Sequence, residues 1–257
     1  MKVLRWILFV AALLIVIGAI VAWTCPVDLV YPLVANRFGP VRLHDLGGTV
    51  WEGRAGSVDF LGRNLGTLQW RLQPGPLLHG ETVAQFTLDG EAVSGSGIVD
   101  RHADTISLRD TKLRLPASVV APALAIPSLD LLGTIEVDLA QARLRGMLVD
   151  AATGTATWRD AAVAGAAQAI FGDLHALYTA SGDGGIAGLV QDMGGPLEVA
   201  GTFDVHLGQY QAQARLAARG ADPGVTEALQ YVGQPQADGS RILEIRGRQL
   251  DLSGRGN

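Results

Sequence analysis

Eighteen consecutive residues, Trp6 to Trp23 (WILFVAALLIVIGAIVAW), carry no charge, no proline and a single glycine. Laid out as a helix they cover roughly 26 Å, close to the hydrocarbon thickness of a bilayer. A tryptophan stands at each end, where indole rings prefer the water–lipid boundary, and Leu14 sits near mid-span. Eleven of the residues are Ile, Leu, Val or Phe. At about −0.3 to −0.6 kcal/mol each, they favour insertion by on the order of −3 to −7 kcal/mol. A buried core helix would need a polar side, and this segment has none. The stretch predicts a single transmembrane helix through which the chain meets membrane lipid.

The flanks set its direction. Lys2, Arg5 and the amino terminus precede the span, and the next charge after it is Asp28. Positive charge resists translocation, so the amino terminus is expected in the cytoplasm and everything after Trp23 beyond the inner membrane, in a bacterium the periplasm. A cleaved signal peptide is the rival reading. The apolar run exceeds the usual signal core, and Ala22-Trp23-Thr24 before Cys25 is neither a clean cleavage site nor a lipidation site.

Cys25 is the only cysteine, so no disulfide closes within the chain and a CxxC metal or redox site is excluded. It reads as a small apolar residue at the outer membrane edge, with a disulfide to a second copy as the alternative. The net charge is −5, the only lysines are Lys2 and Lys112, and the arginines are scattered. A nucleic-acid footprint needs a basic patch, so that class is dropped. The 33 glycines among short apolar pairs favour many short strands and turns.

Pro26 to Phe38 reads as a short helical elbow that leads the chain off the membrane. Pro26 suits its first turn and Pro32 limits its length, and Val27, Val30, Leu33 and Val34 share one side. From Val41 the period changes to alternation. Val41, Leu43 and Asp45 point one way and Arg42, His44 and Leu46 the other. Gly47-Gly48 is expected to turn. A strand then carries Thr49, Trp51, Gly53 and Ala55 on one face and Val50, Glu52 and Arg54 on the other. In GTLQWRLQP, Leu68, Trp70 and Leu72 face inward against Gln69, Arg71 and Gln73, and Pro74-Gly75-Pro76 ends the strand. Ala84, Phe86 and Leu88 alternate again before a two-residue turn at Asp89-Gly90. Strands at Ser94 to Asp100 and Asp104 to Leu115 complete this stretch.

Pro116 to Pro127 breaks the pattern and is expected to cap the sheet. Beyond it, strands are expected at Leu131 to Leu139, Phe171 to Thr179, Gly185 to Gln191, Leu197 to Leu207, Tyr210 to Ala218 and Arg241 to Leu250. Shorter, weaker strands are expected at Ala142 to Val149 and Gly154 to Val163. Pro223 to Val232 reads as a short helix with Val225, Ala228, Leu229 and Val232 on one face. GTATWR at Gly154 to Arg159 echoes GTLQWR at Gly66 to Arg71. The expected architecture is all-β: a mainly antiparallel, meander-like periplasmic sheet with one or two short helices, preceded by one transmembrane helix. The expected divisions are 1–25 as cytoplasmic stub and anchor, 26–40 as connector, and 41–257 as the β-rich domain with candidate halves 41–116 and 128–252.

With GTVWEGRA, GTLQWRLQP and the anchor in view, the chain resembles the type II secretion system protein N family. The family's GT-(small or apolar)-W-x-G-x-A segment stands here as Gly48, Thr49, Val50, Trp51, Gly53, Arg54 and Ala55. Its L-x-W-x-L-x-P strand stands as Leu68, Trp70, Leu72 and Pro74, and its closing short helix, DG and strand as Pro223 to Leu250. Ala140 to Ala169 matches no family pattern. The resemblance implies an accessory, non-enzymatic part of the inner-membrane assembly that exports folded proteins. Its partners would be other type II secretion components: the inner-membrane platform and the outer-membrane secretin. The style is also similar to AsmA-like periplasmic proteins, which implies a lipid-holding groove as the alternative.

Catalytic motifs are missing from the sequence: there is no G-x-S-x-G, no P-loop and no close pair of histidines among His44, His79, His102, His175 and His206. No cofactor, metal or small-molecule substrate is expected. Gly182 to Gly188 reads as a hairpin turn, and His102 beside Asp100 and Asp104 as a solvated loop. Trp51 and Trp70 suit the core of adjacent strands better than a partner surface. Glu52, Arg54 and Arg71 on the opposite face are the candidates for partner contact.

Overall fold

Alternation of apolar and polar residues, repeated with tight turns and no helix-length gap, leaves each strand only its sequence neighbour to pair with. The computed structural model describes residues 25–35, 41–60, 62–77, 79–119, 121, 128–145, 148–182 and 184–248. It holds one 15-stranded antiparallel sheet in order β1-β2-β4-β5-β6-β7-β8-β9-β10-β11-β12-β13-β15-β14, with the two-residue β3 paired to β2. The strands are β1 Val41–Gly48, β2 Glu52–Phe60, β3 Arg63–Asn64, β4 Thr67–Gln73, β5 Glu81–Asp89, β6 Ser94–His102, β7 Thr105–Pro116 and β8 Leu129–Arg145. After them come β9 Leu148–Gly165, β10 Ala169–Ala180, β11 Ile186–Asp192, β12 Leu197–His206, β13 Gln209–Ala218, β14 Gln234–Pro235 and β15 Arg241–Arg248. Short helices cover Val27–Val34, Pro74–Leu77 and Pro223–Ala228. The expected all-β meander is what forms. The anchor residues Trp6, Leu14 and Trp23 lie outside the described residues, among which no helix is long and apolar enough to cross a membrane.

Register ties one face of the sheet together. Leu46 opposes Ala55, Ala55 opposes Leu68, Leu68 opposes Leu88, and the row continues through Gly95, Leu113 and Val137. It runs on through Ala156, Ala176, Val190, Gly201 and Ala214 to Leu243. Every position in it is apolar or glycine. The row one residue away, on the other face, runs from Arg54 through Gln69, Thr87, Ser96, Lys112 and Asp138, and ends at Gln213 and Glu244. Leu177 and Leu189 interrupt that polar row as an exposed, directly opposed pair.

A second layer covers this apolar face only in part. Among the described residues, substantial packing by non-strand elements on strands is confined to Val27–Val34 on β1, Pro74–Leu77 on β5, the turn Ala117–Val119 on β8, and Pro223–Ala228 on β10 and β13. The main core lies under the last of these. Val225, Ala228, Leu229 and Val232 are buried against Phe171, Leu174, Val199 and Leu216, as the expected helix face required. Asp222 caps that helix by accepting from Val225 N–H at 2.9 Å.

Several boundaries differ from expectation. β1 runs on through Gly48, and the chain reverses over Thr49–Trp51, because Gly48 supplies the left-handed backbone (φ 87°) at the turn itself. Leu46 is half-buried instead of following Arg42 and His44 outward, since Asp45 adopts φ 52° and re-aims the strand. Leu33 is 82 % exposed: the first helix meets β1 through Tyr31, whose hydroxyl accepts from Leu43 N–H at 2.8 Å. The link after Asp89 is a four-residue loop, not a two-residue turn, because Asp89 pairs with Ser94. Leu131 to Leu139 is the middle of β8, and the two strands expected to be short are not separate strands: Ala142 to Val149 runs from the end of β8 into the start of β9, and Gly154 to Val163 lies within β9; β8 and β9 are the two longest strands among the described residues. Register shifts near Gly133, Leu139 and Arg143 bend this pair without ending it, and small buried residues such as Ala142, Ala152 and Ala161 let it pack closely.

Two carboxylates pin the hairpins of the second half. Asp192 accepts from Arg219 at 2.7 Å and from the N–H groups of Gly194 and Val199. Burial pushes its pKa up, but those three hydrogen bonds win and hold it below its ordinary 3.8. Asp173 is lowered by hydrogen bonds from Arg159 and Asp160 N–H. Groups with depressed folded-state pKa contribute fully above the unfolded value and lose that contribution as pH falls through the folded one. Urea-unfolding midpoints are therefore expected to hold from neutrality down to about pH 4 and to drop below it; replacing Asp192 with Asn should flatten that drop. Leu229→Ala, 5 % exposed in the core, should cost about 2–4 kcal/mol in the same assay.

Candidate functional site

The reversal between β1 and β2 is where the chain that follows the apolar span is fastened to the sheet. Thr49 N–H donates to Glu52 O at 2.9 Å, and Glu52 N–H donates back to Thr49 Oγ1 at 3.1 Å. Val50 N–H donates to Cys25 O at 3.1 Å, and Pro26 forms a bridge with Thr49. Trp70 Nε1 donates to Val50 O at 3.1 Å and Leu72 N–H to Trp51 O at 2.6 Å. Gly53 opposes Trp70, and any Cβ there would run into the indole. Ala55, 1 % exposed, begins the apolar side of β2. Thr49 and Trp51 are thus turn residues and not strand residues, while Trp70 is the half-buried strand aromatic that was expected. Pro74 closes the segment by starting the helix Pro74–Leu77.

Glu52, Arg54 and Arg71 come together on the opposite face. Glu52 and Arg71 are register partners with their charges 2.6 Å apart, both exposed, and the Glu52 carboxylate raises the Arg71 pKa through its hydrogen bond and charge. Arg54 is exposed one register step away, opposite Gln69.

The same arrangement recurs in the second half. Trp158 Nε1 donates to Leu132 O at 2.8 Å, two residues before the register partner of Arg159; Trp70 reaches Val50 O, two residues before the register partner of Arg71. Arg159 pairs with Glu136 and Asp173. The GTLQWR/GTATWR echo therefore marks one repeated three-dimensional device.

The two ends of the sheet are unlike. The outer side of β1 is met by the helix Val27–Val34 through Tyr31 and broken by the left-handed Asp45. At the other end β14 pairs with only Arg241 and Ile242, so among the described residues Leu243–Arg248 has no strand on its outer side. Sequence reasoning did not single out that edge, since no residue type marks it; only sheet order does.

His44 meets Asp59 at 3.1 Å, His102 meets Glu81 at 3.9 Å, and Asp100 pairs with Arg109. Among the described residues no three of His, Cys, Asp and Glu group to hold a metal ion. Gly182 to Gly188 spans the β10–β11 hairpin turn, closed by Ser181 N–H to Gly185 O at 3.0 Å.

Comparison with known proteins gives a family. The model described as "Type II secretion system (T2SS), protein N" matches residues 39–244. A protein named Type II secretion system protein N, from Vibrio cholerae serotype O1 (strain ATCC 39315 / El Tor Inaba N16961), is 28 % identical over 224 residues, covering 81 % of this chain and 85 % of that one. No solved structure matches.

The hairpin geometry fixes what substitutions there should do. Trp70→Phe removes the Nε1 hydrogen bond and should cost about 1 kcal/mol in urea unfolding. Gly53→Val should cost more, about 1–3 kcal/mol, because it must displace the indole. Arg71→Ala, at an exposed ion pair, should leave the unfolding midpoint in place.

Proposed function

Because the chain belongs to the type II secretion system protein N family, we propose that it is an accessory inner-membrane component of that machinery, anchored by residues 1–25 and presenting residues 41–257 to the periplasm. The observation that carries this reading is the family match from residue 39 to 244, which takes in the sheet from β1 to the middle of β15. Residues 26–40 form the connector, and the hydrogen bond from Val50 N–H in the β1–β2 reversal to Cys25 O supports a short distance between bilayer and sheet. The domain makes contacts and carries out no reaction.

Two surfaces suit contact with the inner-membrane platform or the secretin. One is the charged patch of Glu52, Arg54 and Arg71 on the polar face. The other is the outer side of β15 at Leu243–Arg248, where an extended segment from a partner can add a strand through main-chain hydrogen bonds. The first half of the sheet, 41–116, holds the patch; the second, 128–252, holds the open edge.

Four measurements check this. Deleting the gene should leave folded cargo in the periplasm and reduce it in the medium, and the full chain solubilised from membranes should bring down other secretion components; recovery of none would count against the assignment. Replacing Arg54 and Arg71 with Gln together should lose that recovery without shifting the unfolding midpoint, if the patch is the contact. Leu14→Asp adds about 3 kcal/mol to the cost of insertion and should move much of the protein from the membrane pellet to the soluble fraction.

A further inference from the structure

The unbroken apolar row raises a question that secretion-partner contacts do not answer. Every position along this row is apolar or glycine, and among the described residues helices and turns pack substantially only on β1, β5, β8, β10 and β13, which leaves the row on the strands between them without a helix laid over it. Such faces mark binding sites. The row crosses the strands at right angles. At 4.7–4.9 Å per strand, the path from Leu46 on β1 to Leu243 on β15 is roughly 55–60 Å of contour.

We propose that this face is a trough for the acyl chains of membrane phospholipid. Three observations point to that occupant. The row starts beside the reversal that hydrogen-bonds Cys25, two residues after the apolar Trp6 to Trp23 stretch, so its first positions stand at the bilayer surface. The row offers no side-chain hydrogen-bonding group, and Thr111, the polar residue buried nearby, already donates its hydroxyl to Arg109 O. A polypeptide laid across it would leave its amides unpaired, whereas an acyl chain has none to pair. The far end of the row runs into a cavity of about 240 Å³ beneath the helix Pro223–Ala228, where Val190, Gly201, Ala214 and Leu243 join Trp158 and Leu229 in an almost wholly apolar wall. Such walls suit hydrocarbon. The trough thus has an open mouth at the membrane and a covered far end.

This inference rests on the anchored topology proposed above, and its test separates the two. In cells labelled with ³²P-phosphate, the photo-crosslinking residue p-benzoylphenylalanine is placed in the full chain at Leu68, Leu113 or Val190 on the apolar row, and at Gln69, Lys112 or Leu189 on the opposite face. After irradiation and denaturing purification, ³²P-phospholipid adducts are expected at all three row positions and at none of the controls. Equal labelling of both faces, labelling at Leu68 alone, or row adducts to a second copy or another protein in place of lipid would each overturn the trough. Ala156→Arg, placed mid-row, should abolish the adduct at Val190 and keep those at Leu68 and Leu113, which also report that the sheet has folded; an undiminished adduct at Val190 refutes a continuous path. Protein recovered in the membrane pellet without row adducts defeats this inference alone, and protein missing from the pellet defeats the anchored topology.

Discussion

Aromatic rings lying on glycines hold the apolar face of this sheet together. Trp70 covers Gly53, Phe203 covers Gly188, and Tyr210 covers Gly247; in each case a Cβ on the glycine would strike the ring. Tyr178 stands between Gly154 and Gly188 in the register and meets Phe203 at 6.4 Å between ring centres. Glycine in a strand is weak by itself, because it loses the most entropy and has no side chain to pack. A large ring from the neighbouring strand fills the gap, and both the apolar contact and the local twist are recovered. A sheet that must stay unlayered over several strands has few other ways to shield itself, so ring and glycine shield one another.

The rest of the organisation follows. One face is lined along its length by apolar side chains and the other is wet, and among the described residues three short α-helices and a few 3-10 turns accompany the 15-stranded meander. Such wide sheets do not remain flat. Here left-handed residues inside strands (Asp45, Asp110 and Asp160 at φ 47–52°) and the register shifts around Gly133 and Gly172 bend the strands. Where register shifts are most numerous, in β8 to β10, small residues such as Ala161 and Ala169 are buried and the larger of the two cores forms under the closing helix.

Much of this was legible in the sequence, for a physical reason. Period-two alternation reports which side of a strand is dry, so the strands from Thr67 to Leu115, the Trp70 face, the Glu52/Arg54/Arg71 face and the buried stripe Val225–Ala228–Leu229–Val232 were all readable. The failures share a cause too. Alternation is silent where side chains are uniformly small, and β8 and β9 were cut into fragments through their alanine-rich middle. It is misled where one residue turns left-handed, as at Asp45. A retrospective signal exists: each of the three left-handed aspartates directly follows a basic residue within its strand (His44-Asp45, Arg109-Asp110, Arg159-Asp160). The role of Thr49 and Trp51 in a turn, and not a strand, was hidden because Gly47 and Gly48 each look able to turn and only tertiary pairing decides between them. The open edge of β15 depends on sheet order, which no local pattern carries.

The contrast between the two sheet ends has a consequence for assembly. A sheet with two free ends can stack copies head to tail without limit, each copy templating the next, and so grow into a fibre. Here the β1 end is stoppered by the tyrosine hydroxyl of Tyr31 and the kink at Asp45, while the β15 end is open among the described residues. A plug at one terminus and a socket at the other permit a single guest strand and then stop. Polymerisation by this route ends at one, which suits a part that must be counted into a machine.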